Sequence, residues 1–188
     1  MNYDVIAIGA SWGGLLAVGT LLEGIPRELE QAIVVAQHRA ADSSRGVLES
    51  LLQRHIGRPV SEPGDKEAIE RCRVYVAPAD YHLLVERGHF ALSVDARVQF
   101  ARPSIDVLFE SVAEAYGDRA VGIVLTGANE DGAAGLAAIK RNGGVSIVQD
   151  PHTAERRAMP DAAIARSVAD AVLPLEEMGA FLYGLCRP

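Results

Sequence analysis

Short apolar runs recur along the chain, and each gives way to a glycine-rich or polar turn followed by helically spaced apolar positions. Val5–Ile8 predicts a first strand, followed by a glycine turn and a helix over Gly13–Leu22. Ala32–Ala36 predicts a second strand, with a helix over Gly46–His55 behind it. Val74–Val76 is a third strand, closed by Ala77-Pro78. The rhythm then changes. Leu83–Glu86 and Phe90–Val94 flank Arg87-Gly88-His89, which predicts a β-hairpin with a short glycine loop. A helix over Ile105–Tyr116 follows, with Ser104 placed as its N-cap and Asp106 favourable in its first turn. Val121–Leu125 is the next strand, and Gly132–Arg141 is a helix stopped by Asn142-Gly143-Gly144. Val145–Val148 is a strand, Pro160–Arg166 and Leu175–Leu185 are helices, and Ala171–Leu173 is a short strand between them.

This β-α-β-α order predicts an α/β fold: a doubly wound, mostly parallel sheet with helices on both faces and a β-hairpin insertion. The strands are continuous apolar runs, as burial on both faces requires. With 188 residues, the chain is expected to form one domain over 1–188. Hydrophobic residues make up 49% but aromatics only 5%, so the core must be built from Ala, Val, Leu and Ile. The formal charge of −7 argues against sequence-independent nucleic-acid binding, which needs a positive surface. Cys72 and Cys186 have no near partner in sequence, so they form neither a disulfide framework nor a zinc site, and buried or inert thiols are the expectation. The start at Met1 lacks a signal-peptide pattern, and no apolar run reaches the ~18 residues of a bilayer span. The expected location is the cytoplasm, without membrane insertion.

In doubly wound sheets, ligands sit beyond the carboxyl ends of the strands. The residues there are Gly9–Gly14, Gln37-His38, Ala77-Pro78, Thr126–Asp131 and Gln149–His152, which gather a serine, two histidines and two aspartates on one rim. Gly9-Ala10-Ser11-Trp12-Gly13 has G-x-S-x-G spacing. Such a turn needs glycines beside the serine so that Oγ projects into the cleft. The Trp12 N–H is a natural oxyanion donor there. The plainer alternative is that Ser11 only caps the helix. A dinucleotide site is disfavoured because Ser11 breaks G-x-G-x-x-G and the second strand ends in Gln37-His38 rather than an acid. No Gly-Lys-Ser or Gly-Lys-Thr follows the turn to make a P-loop. His38 is placed to take the Ser11 proton, and Asp131 to orient the imidazole. Their plainer roles are a surface histidine and an N-cap aspartate. His152 is the alternative base, in the chain order serine, acid, histidine. His55, His82 and His89 lie away from this rim and are expected at the surface.

The chain resembles the catalytic domain of the chemotaxis protein-glutamate methylesterases over nearly its whole length. The markers are Ile6-Ala7-Ile8-Gly9-Ala10-Ser11-Trp12-Gly13-Gly14, Val35-Ala36-Gln37-His38 and Val74-Tyr75-Val76-Ala77-Pro78. They continue with Arg102–Phe109, Leu125–Leu136, Gln149-Asp150 and Met159-Pro160, in the family's order. The resemblance implies a triad of Ser11, His38 and Asp131, and so selects His38 over His152. It implies hydrolysis of glutamyl methyl esters, and deamidation of certain glutamines, on the cytoplasmic helices of methylated chemoreceptors or a similar protein substrate. It implies no metal or organic cofactor. The family's usual N-terminal receiver domain has no counterpart here, so any receiver domain is expected to act in trans.

Three positions depart from the family pattern: Trp12 replaces a threonine, Ala128-Asn129 replaces Met-Gly before the acid, and Arg39-Ala40 replaces Met-Pro after the histidine. All three are expected to line the cleft, with Trp12 and Ala128 nearest the oxyanion and substrate positions. Trp12 offers either an apolar contact for a receptor helix or packing against a neighbouring loop. Two other functions compete: a catalytically impaired binding or regulatory module that keeps the fold, and a small-molecule esterase.

Overall fold

A computed structural model of the chain describes residues 3–166 and 169–186; the expectation placed on Met1 lies outside them. Seven strands form one sheet in the order β3-β4-β2-β1-β7-β8-β9, and every neighbouring pair is parallel. They are β1 (Val5–Ala10), β2 (Ala32–Gln37), β3 (Val60–Ser61), β4 (Val74–Val76), β7 (Ala120–Val124), β8 (Val145–Gln149) and β9 (Ala171–Leu173). The hairpin β5 (His82–Glu86) and β6 (His89–Ser93) stands apart as an antiparallel pair. β3 escaped the sequence reading because two residues are too short for a periodic signal. The helix expected over Gly46–His55 is shorter: α2 is Val47–Leu52, and 53–55 tighten into a 3-10 turn.

Alternate residues of each strand face opposite layers. Ile6, Ile8, Ile33, Val35, Val121 and Ile123 pack under α1 (Gly14–Gly24), α2 and α6 (Leu175–Cys186). Val5, Ala7, Val34, Tyr75, Val124 and Val148 pack under α3 (Ile105–Tyr116), α4 (Ala133–Arg141) and α5 (Ala158–Arg166). Burial on both faces explains the unbroken apolar strands. Leu83, Val85 and Phe90 carry the hairpin onto the α3 side, with the Phe90 and Tyr75 rings 4.6 Å apart.

The central strand β1 pairs with β2 on one side and β7 on the other, so Val5 lies beside both Ala32 and Ala120. From β1 the chain crosses to β2, runs out to the edge strand β3 and comes back between the two as β4, then passes to the other side of β1 as β7 and winds outward through β8 and β9. That reversal opens a crevice at the carboxyl ends of β1, β2 and β7.

Candidate active site

Each of these three strands delivers one residue to the crevice. Ser11 follows β1, His38 follows β2, and Asp131 ends the loop after β7. The turn after β1 is narrow because Gly13 takes φ +75° and a Cβ on it would lie 2.5 Å from Glu155 Oε2. Ser11 N–H donates to Thr126 O at 3.0 Å, and the Gln37 amide donates to Ser11 O at 2.8 Å. These bonds lock the Ser11 backbone to both flanking strands. The N–H of Trp12 has no partner among the described residues, and Trp12 immediately precedes Gly13, the N-cap of α1, a helix end whose polarity favours negative charge.

Ser11 Oγ lies 3.1 Å from His38 Nδ1, and His38 Nε2 lies 2.7 Å from Asp131 Oδ2. An ionised carboxylate only accepts hydrogen bonds, so Nε2 carries the proton and Nδ1 is left to accept from the serine hydroxyl. Asp131 is fully buried and takes three further bonds: from Ser104 Oγ (2.9 Å), Ile105 N–H (2.8 Å) and Asp106 N–H (2.9 Å). Burial alone would push its carboxyl up, but the bonds from His38, Asp106 and Ile105 outweigh that and hold it below the ordinary range. The plainer alternative, that Asp131 caps its own helix, does not hold: Gly132 occupies that position, and Asp131 instead caps the start of α3.

Asp106 returns the favour. From the first turn of α3, its Oδ1 accepts from Gly132 N–H (2.9 Å) and Gly135 N–H (2.7 Å) at the start of α4. Burial, with the neighbouring Asp131 charge, pushes the Asp106 carboxyl up to about 6. The two helix N-termini are thus stitched together by exchanged carboxylates. The sequence signal for Asp106 was an acid in a first turn, which cannot reveal a partner 25 residues away.

Other predicted residues fall into place differently. Trp12 is exposed, its indole N–H bound to Glu155 Oε1 at 2.8 Å and its ring under the Arg156 guanidinium at 5.3 Å. Ala128 is exposed, whereas its neighbour Gly127 is buried; a Cβ there would overlap Met159 Sδ and approach Ser11 Cβ to 3.0 Å. Asn129 and Arg39 do line a cleft beside His38. His152 is exposed and makes no bond to Ser11. His82 corrects the surface expectation. It is buried at the base of the hairpin, where Nε2 donates to Ala96 O and Nδ1 accepts from Ser104 N–H. His55 and His89 are half-buried and paired with Glu23 and Glu86. Cys186 is buried, its thiol pushed up by burial to about 11, but Cys72 is exposed.

Two rim residues left without a role by the sequence support the turn. Thr126 Oγ1 donates to Trp12 O (3.0 Å) and accepts from Arg156 N–H (2.9 Å), tying the loop before α5 to the Ser11 turn. Gln149 Oε1 accepts from Thr126 N–H at 2.9 Å. Among the described residues no cluster of His, Cys, Asp or Glu is arranged to hold a metal ion, and no helix is long and apolar enough to cross a membrane.

Comparison with known proteins places this geometry. A protein of Leptospira interrogans, provisionally named a protein-glutamate methylesterase/protein-glutamine glutaminase, is 47% identical over 95% of this chain and 92% of its own length. Protein-glutamate methylesterase/protein-glutamine glutaminase 1 of Hahella chejuensis is 42% identical over 94% of this chain but only 49% of its own length. The crystal structure of the Thermotoga maritima CheB methylesterase catalytic domain superposes with a TM-score of 0.88 at 30% identity, covering 98% of this chain and all of that one. The CheB methylesterase family description matches residues 6–182, and the chain belongs to that family.

Proposed function

We propose that the chain hydrolyses γ-methyl esters of glutamyl residues on a protein substrate, with methylated chemoreceptor helices as that substrate. The observation that carries this is the hydrogen-bonded line from Ser11 through His38 to Asp131. Ser11 Oγ attacks the ester carbonyl carbon as His38 Nδ1 takes its proton. Asp131 stabilises the imidazolium and fixes its tautomer. The oxyanion of the tetrahedral intermediate meets the unpartnered N–H of Trp12. Collapse breaks the bond to the methoxy oxygen, His38 returns the proton, and methanol leaves an acyl-Ser11. Water then repeats the sequence and releases a free glutamate. A glutamine substrate follows the same course with ammonia as the leaving group, as the relatives' double name describes.

Residues 1–188 act in this reading as one catalytic domain in the cytoplasm, and a receiver domain in trans is the regulator consistent with it. Ser11→Ala is expected to abolish methanol release from methylated receptor, and a fluorophosphonate probe is expected to label Ser11 in the parent but not in His38→Ala. Methanol release unchanged in Ser11→Ala would overturn the assignment.

A further inference from the structure

A cleft of about 430 Å³ opens beside His38, and its lining holds three arginines, Arg39, Arg97 and Arg102, and no acid. On a chain of formal charge −7, this is a local reversal of sign. Behind the lining, guanidiniums outnumber carboxylates in two separate clusters. Glu62 accepts from both Arg39 (2.7 Å) and Arg45 (3.3 Å). Asp80 faces both Arg102 (2.7 Å) and Arg97 (3.6 Å). Arg102 is saturated, with its remaining nitrogen bound to the carbonyls of Val94 and Asp95, and serves as a strut. Arg39 is not saturated: its side chain is only 8% exposed, yet Nε and Nη1 have no partner. Arg97 is half exposed and only loosely paired.

The rim of the cleft is equally unusual. Val98 and Ala101 exchange backbone hydrogen bonds around Gln99 and Phe100, both left-handed at φ 47° and 66°. Such two-residue turns ordinarily take Asn-Gly, because a larger side chain is strained there. Here the strain holds a phenylalanine 96% exposed. The Gln99 amide donates to Asp106 Oδ2 at 2.9 Å, which anchors the turn to the carboxylate pair that also orients His38. Phe100 and His38 thus line the same cleft, with the left-handed turn holding the aromatic ring out at its rim.

We propose that this cleft reads a free carboxylate on the substrate: a Glu or Asp one helical turn from the reacting glutamyl ester binds the exposed Arg97, with the buried Arg39 guanidinium lending positive charge from beneath, while Phe100 packs on the apolar stem of the same helix. Residues three or four apart on a helix are neighbours on its surface, so a single docking pose presents the ester to Ser11 and its neighbour to the arginines. The inference rests on the methylesterase reading. It adds an order to it: each hydrolysed ester leaves a carboxylate that recruits the enzyme to the next site along the helix.

The test uses binding, so that it stands apart from catalysis. Two stapled helical peptides carry one γ-methyl glutamyl residue and differ only in having Glu or Gln one turn away. Their Kd values for the full-length Ser11→Ala protein are measured by fluorescence anisotropy. The Glu peptide is expected to bind about tenfold more tightly at low salt. The advantage should shrink in 1 M salt, where screening is strong, and vanish in the further variants Arg97→Glu and Arg97→Gln. Phe100→Ala is expected to weaken both peptides alike. Equal Kd values for the two peptides would overturn the proposal and leave the hydrolysis reading intact. A normal preference alongside a parent enzyme that releases no methanol would support the cleft and overturn the hydrolysis reading.

Discussion

Asp131→Asn should damage catalysis and folding together, because one carboxylate serves both. In the parent, its two oxygens accept four hydrogen bonds: Oδ1 from Ser104 Oγ and Asp106 N–H, Oδ2 from Ile105 N–H and His38 Nε2–H. Asparagine keeps one oxygen. If it stays at the Oδ1 position, the new NH2 group confronts the Ile105 N–H and the imidazole. The ring can relieve its clash by moving its proton to Nδ1, but then it donates toward Ser11 and cannot act as base. Loss of the working tautomer in another serine hydrolase costs about ten-thousandfold in kcat, or about 5 kcal/mol of barrier. The Ile105 N–H has no such escape. An unsatisfied buried donor costs ~1–3 kcal/mol, and losing a negative charge at a helix start adds ~0.3–1 kcal/mol. The expected destabilisation is therefore about 1–4 kcal/mol, a sizeable share of the ~5–15 kcal/mol that keeps a domain folded. Methanol release, the rate of fluorophosphonate labelling and urea unfolding check the two halves separately. A variant within about tenfold of the parent rate, or with unfolding free energy unchanged to within ~0.5 kcal/mol, would refute the reasoning.

Asp106→Asn should change the pH dependence of stability. The folded protein lifts this carboxyl from 3.8 to about 6, so between those values it holds a proton that the unfolded chain has released, and stability falls as pH rises through the window. The asparagine variant should lack that decline and end ~1–3 kcal/mol more stable than the parent above pH 6, as urea unfolding at several pH values would show; parallel curves would sink the idea. Gly127→Ala should overpack against Met159 and push Ser11, lowering activity and costing ~1–3 kcal/mol. Combined with Met159→Ala it should be less damaging than the two singles summed, and strict additivity in a double-mutant cycle would refute the contact.

The central strands were legible because burial on both faces makes them unbroken apolar runs, and the glycine turns between them carry strong local signals. β1 and β2 merely run one or two residues further than the apolar letters do, since Gly9, Ala10 and Gln37 still pair in register. Ser11 and His38 were visible as strand-end residues. Asp131 was visible in position but not in partner: hydrogen bonds to Ser104, Ile105 and Asp106 span about 25 residues of chain, and periodicity carries nothing at that range. His82 was misread for a related reason. As a polar letter at a strand end it looked solvent-facing, yet its ring fills a slot between Ala96 and Ser104 that exists only once the hairpin docks on α3. Gln99 and Phe100 gave no warning of their left-handed turn, because neither residue favours that conformation.

The three strands that carry Ser11, His38 and Asp131 meet in space but not in order of synthesis. Ser11 and His38 can come together as soon as β1 and β2 pair, whereas Asp131 arrives only after β7 inserts beside β1, more than a hundred residues later in the chain. Pairings of such sequence separation form slowly, since a long loop must close before any contact rewards it. A nascent or partly unfolded chain therefore exposes its serine and histidine without the carboxylate that sets the imidazole's tautomer. On the proposed reading the site is complete only once β7 has inserted, so immature copies of the protein are expected to be inert toward esters around them.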